Sequence, residues 1–171
     1  MKLGIVGTGN IAYKHFDEFS KIDGVKIEAI CDVNSDNLNL FTNKFGDHLR
    51  GYSTVEKMLE QEKGFDGICN TTPDRFHKEI SLKILDKGFN IFSEKPLAEN
   101  YEDAKILAEV AHQKKVINLV NFTYRESSGY QKLVKIIKSN TLGDVKHVSA
   151  NYYQSWLSSK IWGNWKEEDR W

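Results

Sequence analysis

Over the first two thirds of the chain, short apolar runs alternate with longer stretches in which apolar residues recur every three or four positions among charged ones. The runs are typical of strands buried in a parallel sheet, and the longer stretches are typical of amphipathic helices. This alternation predicts an α/β fold with a doubly wound parallel sheet and right-handed crossovers. The predicted strands are 2–6, 25–31, 49–52, 65–70, 90–93 and 116–121, and the predicted helices are 13–21, 35–45, 55–59, 76–86 and 101–114. Ser35 is the predicted cap of the second helix, and Ser53 or Thr54 that of the third.

The pattern changes after residue 122. Residues 130–138 predict one more helix, and apolar and polar residues alternate over 146–156 as in an edge or open-sheet strand. Four tryptophans follow among charged residues, which is typical of a core or an interface between domains, with sugar stacking as the alternative. We therefore predict a first domain over 1–122 and the truncated start of an α+β second domain over 123–171.

The composition narrows the possible partners. The 171 residues carry 24 Lys and Arg against 24 Asp and Glu, and this zero net charge disfavours nucleic acid and anionic membranes. The chain has no signal peptide and no apolar run of about 18 residues, and Cys31 and Cys69 lie in apolar runs where a thiol is inert. These features favour a cytoplasmic protein with a small-molecule ligand. The five histidines lack the spacing of a zinc site, so no metal is predicted.

The first predicted strand runs into Gly7-Thr8-Gly9-Asn10-Ile11-Ala12, a glycine pattern that joins strand to helix in dinucleotide-binding domains. Gly7 permits the tight turn, Gly9 lets a pyrophosphate approach the backbone, and Ala12 lets the helix pack closely on the strand. Asp32 ends the second strand 20 residues after Ala12, where a carboxylate can accept hydrogen bonds from the adenosine ribose. A purely steric role for the glycines and a turn or cap role for Asp32 are the alternatives.

Two later strand ends also carry polar residues, which the same edge of a parallel sheet would bring together. Thr71-Thr72-Pro73 follows the fourth strand and Glu94-Lys95-Pro96 follows the fifth. A charged pair at the end of a buried strand is costly unless it has partners or a chemical role. Lysine can donate a hydrogen bond or a proton to a substrate oxygen, and Pro96 favours an extended backbone at Lys95. A surface ion pair is the alternative for this tripeptide.

Together these motifs resemble a family of NAD(P)-dependent enzymes with a Rossmann domain, the glucose-fructose oxidoreductases, inositol dehydrogenases and rhizopine-catabolism proteins. The resemblance rests on Gly7-x-Gly9-x-x-Ala12, Asp32, Thr72-Pro73 with His77, Glu94-Lys95-Pro96, Arg125 and Leu142-Gly143-Asp144-Val145. It implies hydride transfer between nicotinamide and a sugar, polyol or related hydroxy compound. Lys95 would be the catalytic residue at the reacting hydroxyl. The implied cofactor-binding residues are Gly7, Thr8, Gly9, Asn10, Ile11, Asp32, Thr71, Thr72, Pro73, His77, Glu94, Lys95 and Asn121.

For two of the residues that the resemblance implies, a second role remains open. Arg125 is a predicted substrate contact, with a surface or interdomain ion pair as the alternative. His77 is predicted to help position the loop over the adenosine half, with a helix cap or a packed core histidine as the alternative.

The resemblance also implies a residue that the chain lacks. In that family an Asp-x-Gly-x-His segment of the second domain supplies the acid/base histidine, and no such segment occurs up to Trp171. We therefore expect the chain alone to be inactive, and a full-length form to be a homo-oligomer. Because Asp32 would repel a 2′-phosphate, NAD is predicted in preference to NADP, with NADP possible. Two other functions stay open, a non-catalytic dinucleotide-binding sensor of the same fold and a different nucleotide binder such as a methyltransferase.

Overall fold

The computed structural model describes residues 1–153, and the contacts divide the chain into two compact units, Met1–Asn121 and Phe122–Trp171. In the first unit six strands alternate with five helices. The strands are β1 (Lys2–Val6), β2 (Lys26–Cys31), β3 (Arg50–Tyr52), β4 (Gly67–Asn70), β5 (Ile91–Ser93) and β6 (Asn118–Val120). The helices are α1 (Asn10–Phe19), α2 (Ser35–Phe45), α3 (Val55–Gln61), α4 (His77–Asp86) and α5 (Tyr101–Lys114).

All six strands are parallel and lie in the order β3-β2-β1-β4-β5-β6. The chain builds one half of the sheet outwards from β1 and then crosses back to build the other half from β4, which confirms the predicted doubly wound fold. In sheets of this kind the two central strands diverge into separate halves, and ligands bind in the crevice at their carboxyl ends. Here that crevice lies at the ends of β1 and β4.

Both faces of the sheet are covered by helices. On one face α1 and α2 pack through aromatic side chains, and Phe16 stacks on Phe45 with 4.0 Å between ring centroids. On the other face α3, α4 and α5 bury aliphatic side chains such as Met58, Ile84 and Leu107 against the strands. This double coverage explains why the strands read as continuous apolar runs.

The helix starts agree with the predictions in part. Asn34 caps α2, because its backbone is extended and its Oδ1 accepts from the N–H of Asp36 at 2.8 Å. The predicted cap, Ser35, is therefore wrong, and Ser35 is the first helical residue. Thr54, one of the two predicted caps, caps α3. Helix α5 has the predicted bounds.

Both cysteines are buried, as expected from their apolar runs, and neither forms a disulfide. Burial and the nearby charges of Asp32 and Glu56 raise the pKa of the Cys31 thiol to about 12. Burial also raises the pKa of Cys69 well above its usual range. Both thiols stay protonated at neutral pH, so they pack as small apolar groups and are not nucleophiles.

In its described residues the second unit contains a 3₁₀ turn (Thr123–Glu126) and helix α6 (Ser128–Lys138), which begins two residues before the prediction. Residues 146–153 form no strand, so the predicted strand over 146–156 is wrong in its described part. An alternating pattern becomes a strand only when a neighbouring strand pairs with its N–H and C=O groups. No described strand does so here. The remainder of that prediction and the four tryptophans lie outside the described residues.

Candidate functional site

The turn between β1 and α1 lies at the carboxyl edge of the sheet, and its shape requires Gly7. Gly7 has a φ of +88°, and a Cβ built on it would lie 2.8 Å from backbone atoms of both Thr71 and Thr72. A side chain would meet an unfavourable backbone conformation and also the neighbouring loop. The Thr71 hydroxyl lies 2.6 Å from the carbonyl oxygen of Gly7, to which it donates. The turn and the loop after β4 are therefore built against each other.

The first turn of α1 is open to approach. Gly9 is the N-cap, so no side chain caps the helix, and α1 begins at Asn10, three residues before the predicted start. Gly9, Asn10 and Ile11 are exposed, and a Cβ built on Gly9 would meet nothing within 4 Å. The N–H of Ala12 donates to the carbonyl oxygen of Gly9 at 3.0 Å, and the N–H groups before it lie beside a residue without a side chain. An anionic group can approach this backbone closely.

Asp32 follows β2, and its carboxylate faces the glycine turn. Its Oδ2 accepts from the backbone N–H of Thr8 at 2.8 Å and from the Thr8 hydroxyl at 2.9 Å, while Oδ1 accepts from the N–H of Asn34 at 2.9 Å. The turn role that the sequence left open is therefore present. Because each carboxylate oxygen has two acceptor positions, Oδ1 retains one for a ribose hydroxyl. Thr8 is buried, and both its N–H and its hydroxyl donate to Asp32, so it supports the carboxylate. A direct contact of Thr8 with the cofactor stays a prediction.

His77 joins the loop after β4 to the loop after β5. Its ring is fully buried, with Nδ1 2.5 Å from the carbonyl oxygen of Pro96 and Nε2 2.8 Å from that of Thr72. These contacts agree with the predicted role of His77 in positioning the loop and also with the alternative of a packed histidine. A direct contact of His77 with the cofactor stays a prediction. The Thr72 hydroxyl donates to Oδ1 of Asn70 at 2.7 Å, which further fixes this loop. Direct cofactor contacts of Thr71, Thr72 and the exposed Pro73 stay predictions.

Glu94 and Lys95 follow β5 at the same edge but have opposite surroundings. Lys95 is exposed, whereas Glu94 is 7% exposed. Glu94 Oε1 accepts from Nδ2 of Asn121 at 2.6 Å and lies 2.6 Å from Nε2 of His15 on α1. Its Oε2 accepts from the backbone N–H of Lys95 at 3.2 Å. Glu94 is therefore an internal residue, and the surface ion pair considered for this tripeptide does not describe it.

The surroundings of Glu94 keep its carboxylate ionised. Burial raises the pKa of this carboxyl, but the hydrogen bonds from His15 and Asn121, the attraction to His15 and the Lys95 N–H together lower it more. The net pKa lies below the ordinary value of 4.5. A buried negative charge therefore lies immediately behind Lys95, held by side chains from α1 and from the end of β6.

Arg125 lies in the 3₁₀ turn of the second unit and is exposed. Its carbonyl oxygen accepts from Nε2 of Gln131 at 2.6 Å, which ties the turn to α6. Its predicted contact with substrate stays a prediction. Among residues 1–153 no three side chains of metal-binding type come together, and no helix in that range is both long and apolar enough to cross a bilayer.

The sequence reasoning missed two polar residues of this edge, His15 and Asn70. His15 lies three residues after Ala12 and next to Phe16, so the helical period places it on the buried face of α1. A titratable residue on such a face needs a partner, which is a signal that the sequence does contain. Asn70 is fully buried at the end of β4 and bonds Ser81 on α4 at 3.0 Å. The signal for Asn70 in the sequence was its position as a polar residue at the end of an apolar strand.

The chain was compared with known protein families and with curated proteins. The Gfo/Idh/MocA family model, described as an oxidoreductase family with an NAD-binding Rossmann fold, matches residues 1–122. Glucose-6-phosphate 3-dehydrogenase from Bacillus subtilis is 26% identical over 98% of this chain and 46% of the relative. Inositol 2-dehydrogenase from Salmonella typhimurium is 26% identical over 91% of this chain and 46% of the relative. The chain thus spans less than half the length of these curated relatives.

Solved structures resemble the chain in the same way. WlbA dehydrogenase from Bordetella pertussis, in complex with NADH and UDP-GlcNAcA, matches with a TM-score of 0.78 and 26% identity, covering 83% of this chain and 43% of that one. Myo-inositol 2-dehydrogenase from Lactobacillus plantarum matches with a TM-score of 0.76 and 27% identity, covering 85% and 43%. The chain therefore shares its fold with known dehydrogenases.

Proposed function

The chain belongs to the Gfo/Idh/MocA oxidoreductase family with its NAD-binding Rossmann fold, and on that basis we propose that it is the dinucleotide-binding part of an NAD-dependent dehydrogenase. The substrate class that we propose is a sugar, a polyol or a related hydroxy compound. The observation that carries the proposal is one sheet edge at which the open glycine turn, Asp32 and Lys95 occur together. Two relatives are named glucose-6-phosphate 3-dehydrogenase and inositol 2-dehydrogenase, and these names support the proposed substrate class.

The glycine turn and the start of α1 would bind the pyrophosphate. Gly9 leaves the backbone uncovered, and the uncapped N–H groups of the first turn supply donors for negatively charged oxygens. Asp32 would accept from the adenosine ribose through the remaining acceptor position of Oδ1. Bound NAD would supply the hydride acceptor for oxidation of a hydroxyl-bearing carbon.

Asp32 also supports the preference for NAD over NADP. Its carboxylate is half-buried and held by Thr8 and Asn34, so it cannot readily turn away from a 2′-phosphate. The Asp32 carboxylate and a 2′-phosphate are both negatively charged, so they would repel each other. The next residues, Val33 and Asn34, carry no positive charge that could offset this repulsion. We expect NADP to bind more weakly for this reason.

Lys95 is the residue that we propose for the reaction itself. It is exposed at the ligand edge, while its backbone N–H is anchored to Glu94. Its ammonium group would donate to the substrate oxygen and stabilise the negative charge that develops there when hydride leaves the carbon.

Titration with NADH and NADPH, followed by the fluorescence of the reduced nicotinamide, tests the proposal. We expect NADH to bind about tenfold more tightly than NADPH, since the difference rests on one partly screened charge repulsion. Equal or tighter binding of NADPH would contradict the cofactor preference. If neither nucleotide bound, the proposed function itself would be wrong.

A further inference from the structure

A buried group of three side chains links the helix of the glycine turn to the residue before Lys95. Glu94 Oε1 contacts His15 Nε2 and Asn121 Nδ2, each at 2.6 Å, and Oε2 accepts from the Lys95 N–H at 3.2 Å. His15 and Glu94 are 79 residues apart in the chain and 9% and 7% exposed. The contact therefore joins two distant segments of the ligand edge inside the protein.

The hydrogen-bond chemistry fixes the direction of this contact. An ionised carboxylate can only accept, so His15 Nε2 must carry a hydrogen and donate it to Glu94. The His15 ring is itself held in place, stacked on Phe19 with 5.8 Å between centroids and edge-on to Phe92 at 5.5 Å. These two aromatic contacts restrict the orientation of the imidazole ring.

We propose that His15 is a positioning residue of the dinucleotide site, which acts through Glu94 on the backbone of Lys95. By donating to Oε1, His15 leaves Oε2 directed at the Lys95 N–H and so fixes the start of the loop that carries the lysine. Because His15 lies on α1, it also ties this loop to the helix whose first turn faces the pyrophosphate. The inference rests on the proposed function and extends it to the nicotinamide half of the site.

Packing alone does not account for the pair. Removing a carboxylate from water is unfavourable, and two apolar side chains of similar volume would fill the same space without that desolvation. A carboxylate that is retained in the interior at the ligand edge is therefore better explained by the geometry that it imposes on the next residue.

The test compares two ligands that share one half of the site. NADH contacts both halves, whereas ADP has the adenosine and diphosphate groups but no nicotinamide riboside. His15→Leu should weaken NADH binding about tenfold, the usual effect of a lost hydrogen bond to a charged group, and should change ADP binding less than about twofold. His15→Gln can still donate and should retain most of the NADH affinity. His48→Gln alters an exposed histidine and serves as the matched control.

A double variant distinguishes a lost positioning role from a loss of folding. His15→Leu in a Glu94→Leu background places two apolar side chains together, so the protein should fold, as checked by circular dichroism. Its ratio of NADH to ADP affinity should equal that of Glu94→Leu alone, because His15 acts only through Glu94. If His15→Leu changed NADH and ADP affinity by the same factor, or changed neither, His15 would have no positioning role. If the unaltered protein bound neither ligand, the proposed function would fail first and this inference with it.

Discussion

Substitution of Gly7 by alanine tests the geometry of the glycine turn in quantitative terms. Gly24 has a similar backbone, with a φ of +78°, but a Cβ there would meet nothing within 4 Å. Gly24→Ala should therefore cost only the conformational strain, about 1 kcal/mol of unfolding free energy. Gly7→Ala adds the collision of the new methyl group with the Thr71 and Thr72 backbone at 2.8 Å. Displacing a packed loop costs about 2 kcal/mol more, so we expect about 3 kcal/mol in total.

Gly9→Ala completes this series, because Gly9 has an ordinary φ of −72° and open space around it. It should lower the unfolding free energy by less than about 1 kcal/mol and yet weaken NADH binding about tenfold, since a methyl group there keeps the pyrophosphate from the backbone N–H groups. Urea unfolding gives the stabilities and NADH fluorescence gives the affinities. If Gly7→Ala were no more destabilising than Gly24→Ala, the close approach of the two loops would be wrong. If Gly9→Ala bound NADH normally, the pyrophosphate would not lie over this turn.

Four further predictions concern side chains of the same edge. Asp32→Ser should reduce the preference for NADH over NADPH to about threefold or less. Asp36→Ser, at an exposed position in the first turn of α2, should leave the ratio unchanged in the same titration. Because the pKa of Glu94 is lowered by folding, its ionised form stabilises the protein above its unfolded pKa of 4.5, and this contribution is lost as the pH falls through the lower folded value. Glu94→Gln should therefore flatten the fall in urea-unfolding free energy below about pH 5, and an unchanged slope would contradict the lowered pKa. His77→Phe removes both contacts to loop carbonyls and should lower the unfolding free energy by about 2 kcal/mol, while a neutral result would show that the bridge contributes nothing. In a chimera that joins this chain to the remainder of inositol 2-dehydrogenase, Lys95→Met should lower kcat about a hundredfold with NADH affinity within about threefold, and unchanged turnover would remove Lys95 from the reaction.

The sequence was most informative where local signals agree with one another. Helix α5 has the predicted bounds because Asn100 caps it, Glu102 and Asp103 lie in its first turn, and its side chains have the helical period. Helix α1 begins earlier than predicted because its cap is Gly9, which leaves no side-chain signal. The alternation over residues 146–153 was misleading, because a strand depends on a partner that periodicity cannot supply.

The candidate site could be located from the sequence, but its internal contacts could not. Parallel strands end at a common edge, so the order of the strands was enough to bring Asp32, Thr71 and Glu94 to one side of the sheet. The pairing of Glu94 with His15 joins residues 79 positions apart on different layers, and no local pattern encodes it. Nor could the sequence show that Thr8 and His77 are buried, where Thr8 supports Asp32 and His77 joins two loops.

The loop that carries Lys95 is held from both faces of the sheet. Along β5 the side chains alternate, with Ile91 packed among α3, α4 and α5 and Phe92 packed towards α1 and α2. Glu94 continues the α1 side and is bound by His15, while the carbonyl oxygen of Pro96 is bound by His77 at the start of α4. Two histidines thus fix the residues immediately before and after Lys95, one from each layer of helices. A lysine side chain has several rotatable bonds, so its ammonium group can be placed within hydrogen-bond distance of a reacting oxygen only if its backbone is fixed. The contacts of Glu94 and Pro96 with the two histidines fix that backbone.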